Sequence, residues 1–104
     1  MTLEEFGELI STLKIPAVYG YYKSETAPAY ITYTATDKNV IHADGRVIYS
    51  EEWIELRLVT KMRDLDLESE IEELLTENQI SFYDPDFEFD EKEGIHTATY
   101  YFQL

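Results

Sequence analysis

The chain has 104 residues, enough for one domain with a single core, and its 44% hydrophobic and 14% aromatic content excludes a disordered acidic tail. It contains no cysteine, which excludes disulfide frameworks, thiolate metal sites and cysteine nucleophiles. The net charge of −14 argues against binding to nucleic acid phosphates, because such affinity comes mainly from Lys and Arg.

A short amphipathic helix is predicted first in the chain. Thr2 and Glu5 have the spacing of a capping box, and apolar residues recur at helical spacing over residues 3–13. Pro16 ends this helix because proline pushes the preceding residue out of the α region. An aromatic strand over residues 17–22 is expected to follow.

Strands dominate the next forty residues. Gly20 is a candidate bulge in the first strand, and the alternation of apolar residues with threonine predicts a second strand over residues 31–35. Residues 37–50 hold two apolar runs around the pair Asp44-Gly45, which favours a tight turn, and so they predict a hairpin arm.

The second half of the chain predicts one helix and four strands. Residues 52–60 alternate clearly, and a helix begins at Asp64 or Asp66 and stops near Asn78. Three further segments are predicted as strands: 80–83, 87–90 and 95–104. We therefore expect a single α+β domain over residues 1–104, an antiparallel sheet with two helices packed on one face and a protruding β-hairpin arm.

Most of the negative charge lies in one acidic block, residues 64–93, which holds thirteen acids against one base. In the helical half, carboxylates scattered around a regular helix axis favour a solvated face over a metal site. The segment from Asp84 to Asp90 lacks the glycine of a calcium loop, and its alternation with phenylalanine indicates a strand with a polar face. An adventitious divalent ion is the alternative there.

Neither catalytic nor cofactor-binding nor metal-ligating residues are predicted. His42 and His96 could serve as bases and Ser24 or Ser50 as nucleophiles, but no motif pairs them, and His96 is in register with Ala98 as a sheet residue. The tyrosines fall on predicted strands and lack basic neighbours, which disfavours a base-stacking platform. No segment approaches the roughly 20 apolar residues of a membrane span, so we expect a soluble intracellular protein.

Six segments, in order along the chain, carry a resemblance to a known family. They are Ile15-Pro16-Ala17-Val18-Tyr19-Gly20, Pro28-Ala29-Tyr30-Ile31-Thr32-Tyr33, Asn39 with Ala43-Asp44, a strand ending Val59-Thr60-Lys61, Leu67-Glu68-Ser69-Glu70-Ile71-Glu72, and a last strand with Tyr100 and Phe102. Together they resemble the small tail completion proteins, or tail terminators, of long-tailed bacteriophages. Two positions depart from that pattern: Gly45 stands where Asn is expected, and Val59 where Tyr is expected.

The resemblance implies a structural virion protein that closes the head-proximal end of the tail and joins it to the neck. It implies assembly in the host cytoplasm into a ring, often hexameric, on the major tail tube protein, next to a neck or head-closure protein. A hairpin arm would help these contacts, and its interface candidates are Asn39, Asp44, Gly45, Arg46 and Tyr49.

DNA must pass through such a ring without specific binding, and carboxylates facing the channel would repel the duplex and let it slide. The lumen-facing candidates are Glu68, Glu72, Asp86, Glu88 and Asp90. The alternative is an acidic DNA mimic that occupies a basic groove on a host factor, and an enzyme is third. The sequence pattern does not decide whether Tyr19, Tyr21 and Trp53 belong to the core or to an interface.

Overall fold

The described residues form a five-stranded sheet and two helices. The computed structural model describes residues 1–22 and 26–104, with only the backbone for residues 37–43 and 47–51. The helices and strands are α1 (Leu3–Ile10), β1 (Ala17–Tyr19), β2 (Tyr30–Ala43), β3 (Arg46–Thr60), α2 (Leu65–Glu77), β4 (Asp86–Asp90) and β5 (Ile95–Gln103). The strand order is β1-β2-β3-β5-β4. The α+β class is therefore confirmed.

One pairing departs from the expected antiparallel sheet. β1 runs parallel to β2, whereas the other three strand pairs are antiparallel, so the sheet is mixed. β1 is also shorter than expected and ends at Tyr19. Gly20 follows with a φ of +87°, and its N–H donates to the Tyr33 carbonyl at 2.8 Å. Gly20 thus ends the strand, and the prediction of a bulge within a longer strand is wrong.

β2 and β3 are two continuous strands of 14 and 15 residues, where the sequence predicted separate strands and a hairpin. The register shifts between Ala35 and Asp37. An extra residue at such a bulge reverses the phase of the alternation, which explains why the sequence pattern breaks there. The predicted turn is confirmed, since Asp44 and Gly45 have φ values of +51° and +76°, as a two-residue type I′ turn requires.

The far part of this hairpin pairs with itself. β1 pairs with β2 only over residues 31–33, and β5 pairs with β3 only over residues 53–60. Among the pairings that the structure describes, residues 39–43 of β2 therefore pair only with residues 46–51 of β3. The protrusion of this segment as an arm, and its contacts, stay predictions.

The helix boundaries follow from their caps. The predicted capping box is present, since the Glu5 N–H donates to Thr2 Oγ1 at 3.1 Å and the Thr2 N–H donates to Glu5 Oε1 at 3.3 Å. α1 ends three residues before the expected Leu13. The hydroxyls of Ser11 and Thr12 donate to backbone carbonyls of the last turn, which offers this backbone an alternative to further helix.

α2 begins and stops where the sequence predicted. Asp64 is its N-cap and accepts from the Leu67 N–H at 3.1 Å, and Asn78 at its end donates to the Leu74 carbonyl at 2.8 Å. Neither α1 nor α2, the helices of the described chain, has the length and apolar composition needed to cross a membrane.

The core lies on one face of the sheet. The predicted alternation is confirmed over residues 54–58 of β3 and 96–102 of β5. Every second residue there is buried, including Ile54, Leu56 and Leu58 of β3 and Ala98, Tyr100 and Phe102 of β5. From α1, the Phe6 ring packs against Phe102 at 5.2 Å, and α2 adds Ile71 to the same core. The strand expected over residues 80–83 is reduced to one bridge, between Phe82 and Phe102.

Candidate functional site

The acidic block divides into buried and exposed carboxylates. Glu68 is only 4% exposed, and Arg63 binds it with two hydrogen bonds, from Nε to Oε2 at 3.1 Å and from Nη2 to Oε1 at 3.2 Å. Hydrogen bonding to Glu68 raises the pKa of Arg63. The expectation of a solvated face is wrong for Glu68. It lies three residues before Ile71 and seven before Leu75, so it shares their core-facing side of α2.

Glu72 is also drawn toward the sheet. The Tyr100 hydroxyl donates to Glu72 Oε2 at 3.1 Å. Burial of the Tyr100 ring, together with the negative charge of Glu72, raises the pKa of this tyrosine. The Glu72 side chain therefore faces the sheet, although Glu72 as a whole is only half-buried.

A chain of contacts links this pair to β4. The Arg63 guanidinium lies over the Phe87 ring, 4.2 Å from its centroid, and Phe87 stacks on His96 at 5.8 Å. His96 is buried in β5, in register with Ala98, so its prediction as a sheet residue is confirmed. Thr60 lies opposite His96, and its buried hydroxyl has no hydrogen-bond partner among the described residues.

β4 presents two different faces. All five of its residues are exposed. Alternation along the strand places Asp86, Glu88 and Asp90 on one side and Phe87 and Phe89 on the other, as the sequence predicted. Asp90 also accepts from the N–H groups of Lys92 and Glu93, at 3.0 and 3.3 Å, and so closes the turn into β5. Asp86 and Glu88 are thus the two carboxylates of β4 that most freely face solvent.

Asp86 and Glu88 of β4 border a groove on the sheet face opposite the core. This open face carries Arg57 of β3, Lys61 just after β3, threonines of β2 and β5, and tyrosines at its rim. The groove has a volume of about 1050 Å³. Arg57 is paired with Glu55, from Nη2 to Oε1 at 2.7 Å. Exposed and mixed in charge, this surface suits contact with another macromolecule better than chemistry on a small substrate.

Two of the three undecided aromatic residues are exposed. Tyr19 and Tyr21 are 49% and 79% exposed, so neither belongs to the core. Trp53 is half-buried and stacks on Tyr83, with ring centroids 5.9 Å apart. These rings are therefore available to an interface, although Trp53 only in part.

The interface candidates of the arm are described unevenly. Asp44, Gly45 and Arg46 are exposed at the turn between β2 and β3. The backbones of Asn39 and Tyr49 lie in these strands, but their side chains, like those of His42 and Ser50, fall outside the described part of the structure. The candidate nucleophile Ser24 lies outside the described residues altogether.

Within the described residues, no three His, Asp or Glu side chains converge in a group that could hold a metal ion. The Arg63–Glu68 pair was not predicted from the sequence. The spacing of Glu68 with Ile71 and Leu75 was the signal that could have indicated the burial of Glu68. No protein-family model matches this chain, and no curated protein matches it either.

Proposed function

We propose that the protein is a ring-forming virion subunit that closes the head-proximal end of a phage tail and joins it to the neck. The observation that best supports this proposal is the row of exposed carboxylates on β4, formed by Asp86, Glu88 and Asp90. A row of like charge along one edge of the subunit would give a ring a continuous negative lining. Such a lining repels phosphates, so a duplex would slide through it.

The proposed lining rests on β4 more than on α2. Arg63 compensates the charge of the buried Glu68, and Glu72 accepts a hydrogen bond from the core residue Tyr100. These two carboxylates contribute less to the field at the surface than exposed ones would. Among the lumen-facing candidates, Asp86 and Glu88 are therefore expected to dominate.

Contacts between subunits are proposed to involve the hairpin of β2 and β3. Its far part has strand pairing with itself alone in the described structure, so its outer backbone groups are available to another chain. The candidates Asn39, Asp44, Gly45, Arg46 and Tyr49 belong to this segment. We propose that it reaches a neighbouring subunit, the tail tube protein or the neck, as the resemblance to tail completion proteins implies.

The proposal is tested by adding the purified protein to tail tubes assembled from the major tail protein of the same phage. Electron microscopy should show a ring at one end of each tube, and a reconstruction should place Asp86 and Glu88 on the channel wall. Tubes that remain open at both ends would contradict the function. A ring with β4 on its outer rim would contradict only the proposed lining.

The charge of the lining can be tested separately. The variant Asp86→Asn with Glu88→Gln removes two exposed carboxylates from β4 but leaves the turn residue Asp90 intact. Rings of this variant on tail tubes should retain DNA more strongly than wild-type rings on tail tubes in a nuclease-protection assay at low salt, because the channel repels phosphates less. Glu70→Gln with Glu73→Gln, two exposed acids of α2, is the matched control for net charge.

A further inference from the structure

We propose that the outer edge of β4 is a docking site for an extended segment of a partner protein in which basic and apolar residues alternate. Among the described residues, β4 is the last strand of the sheet and pairs with β5 on one side only. The backbone groups on its other side are those of an edge strand, which can receive the hydrogen bonds of an added strand. The partner segment would thus become a sixth strand of this sheet.

The apolar side of this edge is unusually exposed for a folded domain. Phe87 and Phe89 are 42% and 58% exposed. Arg63 holds the segment before α2 against Phe87, and its neighbours Met62 and Leu65 are 80% and 63% exposed. Large exposed apolar side chains of this kind mark surfaces that bind other macromolecules. They would receive the apolar side chains of the partner segment.

The other side of the same strand selects for basic residues. Asp86 and Glu88 project from the face opposite Phe87, so a strand laid beside β4 would place every second side chain next to a carboxylate. Opposite charges on neighbouring strands stabilise their pairing, and like charges destabilise it. The two faces of β4 together therefore specify a segment in which Lys or Arg alternates with Ile, Val or Phe.

This docking site consists of β4 and the residues that flank Arg63, and it does not require the proposed ring. A docked basic segment would neutralise Asp86 and Glu88, so docking and channel lining by these carboxylates exclude one another. Docking is therefore expected on the protein before it enters a ring. Peptide binding by the free protein tests the docking site, whereas capping of tail tubes tests the proposed function, and either result can fail without the other.

The test uses the full chain, labelled with ¹⁵N, and a peptide of about nine residues in which Lys alternates with Ile or Val. Amide chemical shifts and hydrogen exchange are measured with and without the peptide. We expect the amides of residues 86–90 to shift and their exchange to slow. A peptide with Glu in place of Lys should not bind. Absence of any change at β4, or changes confined to the groove near Tyr22 and Tyr30, would overturn the proposal.

Two variants separate specific docking from general attraction to an acidic protein. Glu88→Lys reverses one charge on β4, and Phe89→Thr removes one apolar contact while keeping a residue that favours strands. Each should weaken binding of the peptide roughly fivefold or more. Glu70→Lys makes the same charge change on the exposed side of α2 and should leave the affinity nearly unchanged.

Equal weakening by Glu88→Lys and Glu70→Lys would show that only net charge attracts the peptide, and would overturn the docking site. Circular dichroism of each variant establishes that it is folded. If Phe89→Thr does not fold, the hydrogen exchange of residues 86–90 in the wild-type complex still decides the outcome.

Discussion

The Arg63–Glu68 pair limits how much of the acidic block acts at the surface. Glu68 has its carboxylate inside the structure, while the Arg63 side chain is half exposed and reaches over the edge of β4. One guanidinium thus compensates a buried charge and also covers an aromatic ring. Arginine suits both tasks because its flat group binds a carboxylate with two hydrogen bonds and stacks on rings.

Arg63→Met is expected to destabilise the protein because it leaves the Glu68 carboxylate buried without a partner. The matched control is Arg57→Met, since Arg57 is similarly exposed but pairs with the less buried Glu55. Urea unfolding should show a clearly larger loss of unfolding free energy for Arg63→Met. The double variant Arg63→Met with Glu68→Met should recover most of that loss. Equal losses for the two arginine variants would contradict this account.

Tyr100 is expected to make the stability fall at high pH. Its pKa in the folded protein is raised above the ordinary value near 10, so the folded state favours the neutral phenol. This contribution is fully present below pH 10 and is lost as the pH rises above it, because the unfolded chain then loses its proton first. The unfolding free energy of Tyr100→Phe should depend less on pH in this range, and the exposed Tyr21→Phe is the control.

At neutral pH, Tyr100→Phe should cost about 1 kcal/mol of unfolding free energy, because it removes the hydrogen bond to Glu72. Denaturant unfolding measures this loss directly. An unchanged free energy would mean that the Glu72 carboxylate is equally well solvated without the phenol.

Among the helices and strands, α1 depends most on capping at its ends for its stability. It has eight residues, and a helix this short is marginal without packing and capping. Thr2→Ala removes the acceptor for the Glu5 N–H and should lower the unfolding free energy by about 1 kcal/mol. Ser69→Ala, at an exposed position inside α2, is the control and should have a small effect. A similar effect for both substitutions would show that the cap contributes nothing specific.

The elements also show where sequence reasoning reaches its limit. Local signals predicted the caps of both helices, the turn at Asp44-Gly45 and the alternation of β5, because neighbouring residues determine these features. The bulge after Ala35 was missed because it reverses the phase of alternation within one strand. The parallel pairing of β1 with β2 was not predicted, because alternation within a strand does not indicate which other strand it pairs with or in which direction.

The candidate site, like the fold, was predicted in part from the sequence. Alternation with Phe87 and Phe89 was enough to place Asp86 and Glu88 on one side of a strand. The burial of Glu68 was not anticipated, although its spacing with Ile71 and Leu75 placed it on the apolar side of α2, because its partner Arg63 comes from the segment before the helix. A helical pattern read on its own therefore overstates how many carboxylates face solvent.

For the whole molecule, the net charge of −14 is expected to oppose assembly. Several copies in one ring bring like charges together, and dissolved ions screen this repulsion. Sedimentation velocity should therefore show a monomer at micromolar concentration in low salt and a larger species with added salt or Mg²⁺. The variant Asp86→Asn with Glu88→Gln should assemble at lower salt than wild type. A hexamer of wild-type protein in low salt would contradict this expectation.

The carboxylates on β4 also restrict the symmetry of any assembly. Two copies that paired through β4 about a two-fold axis would bring the same acidic residues side by side, and like charges on neighbouring strands repel. A self-complementary dimer through this edge is therefore disfavoured. Contacts that join unlike surfaces of successive copies carry no such penalty, and these are the contacts that close into rings or extend into filaments.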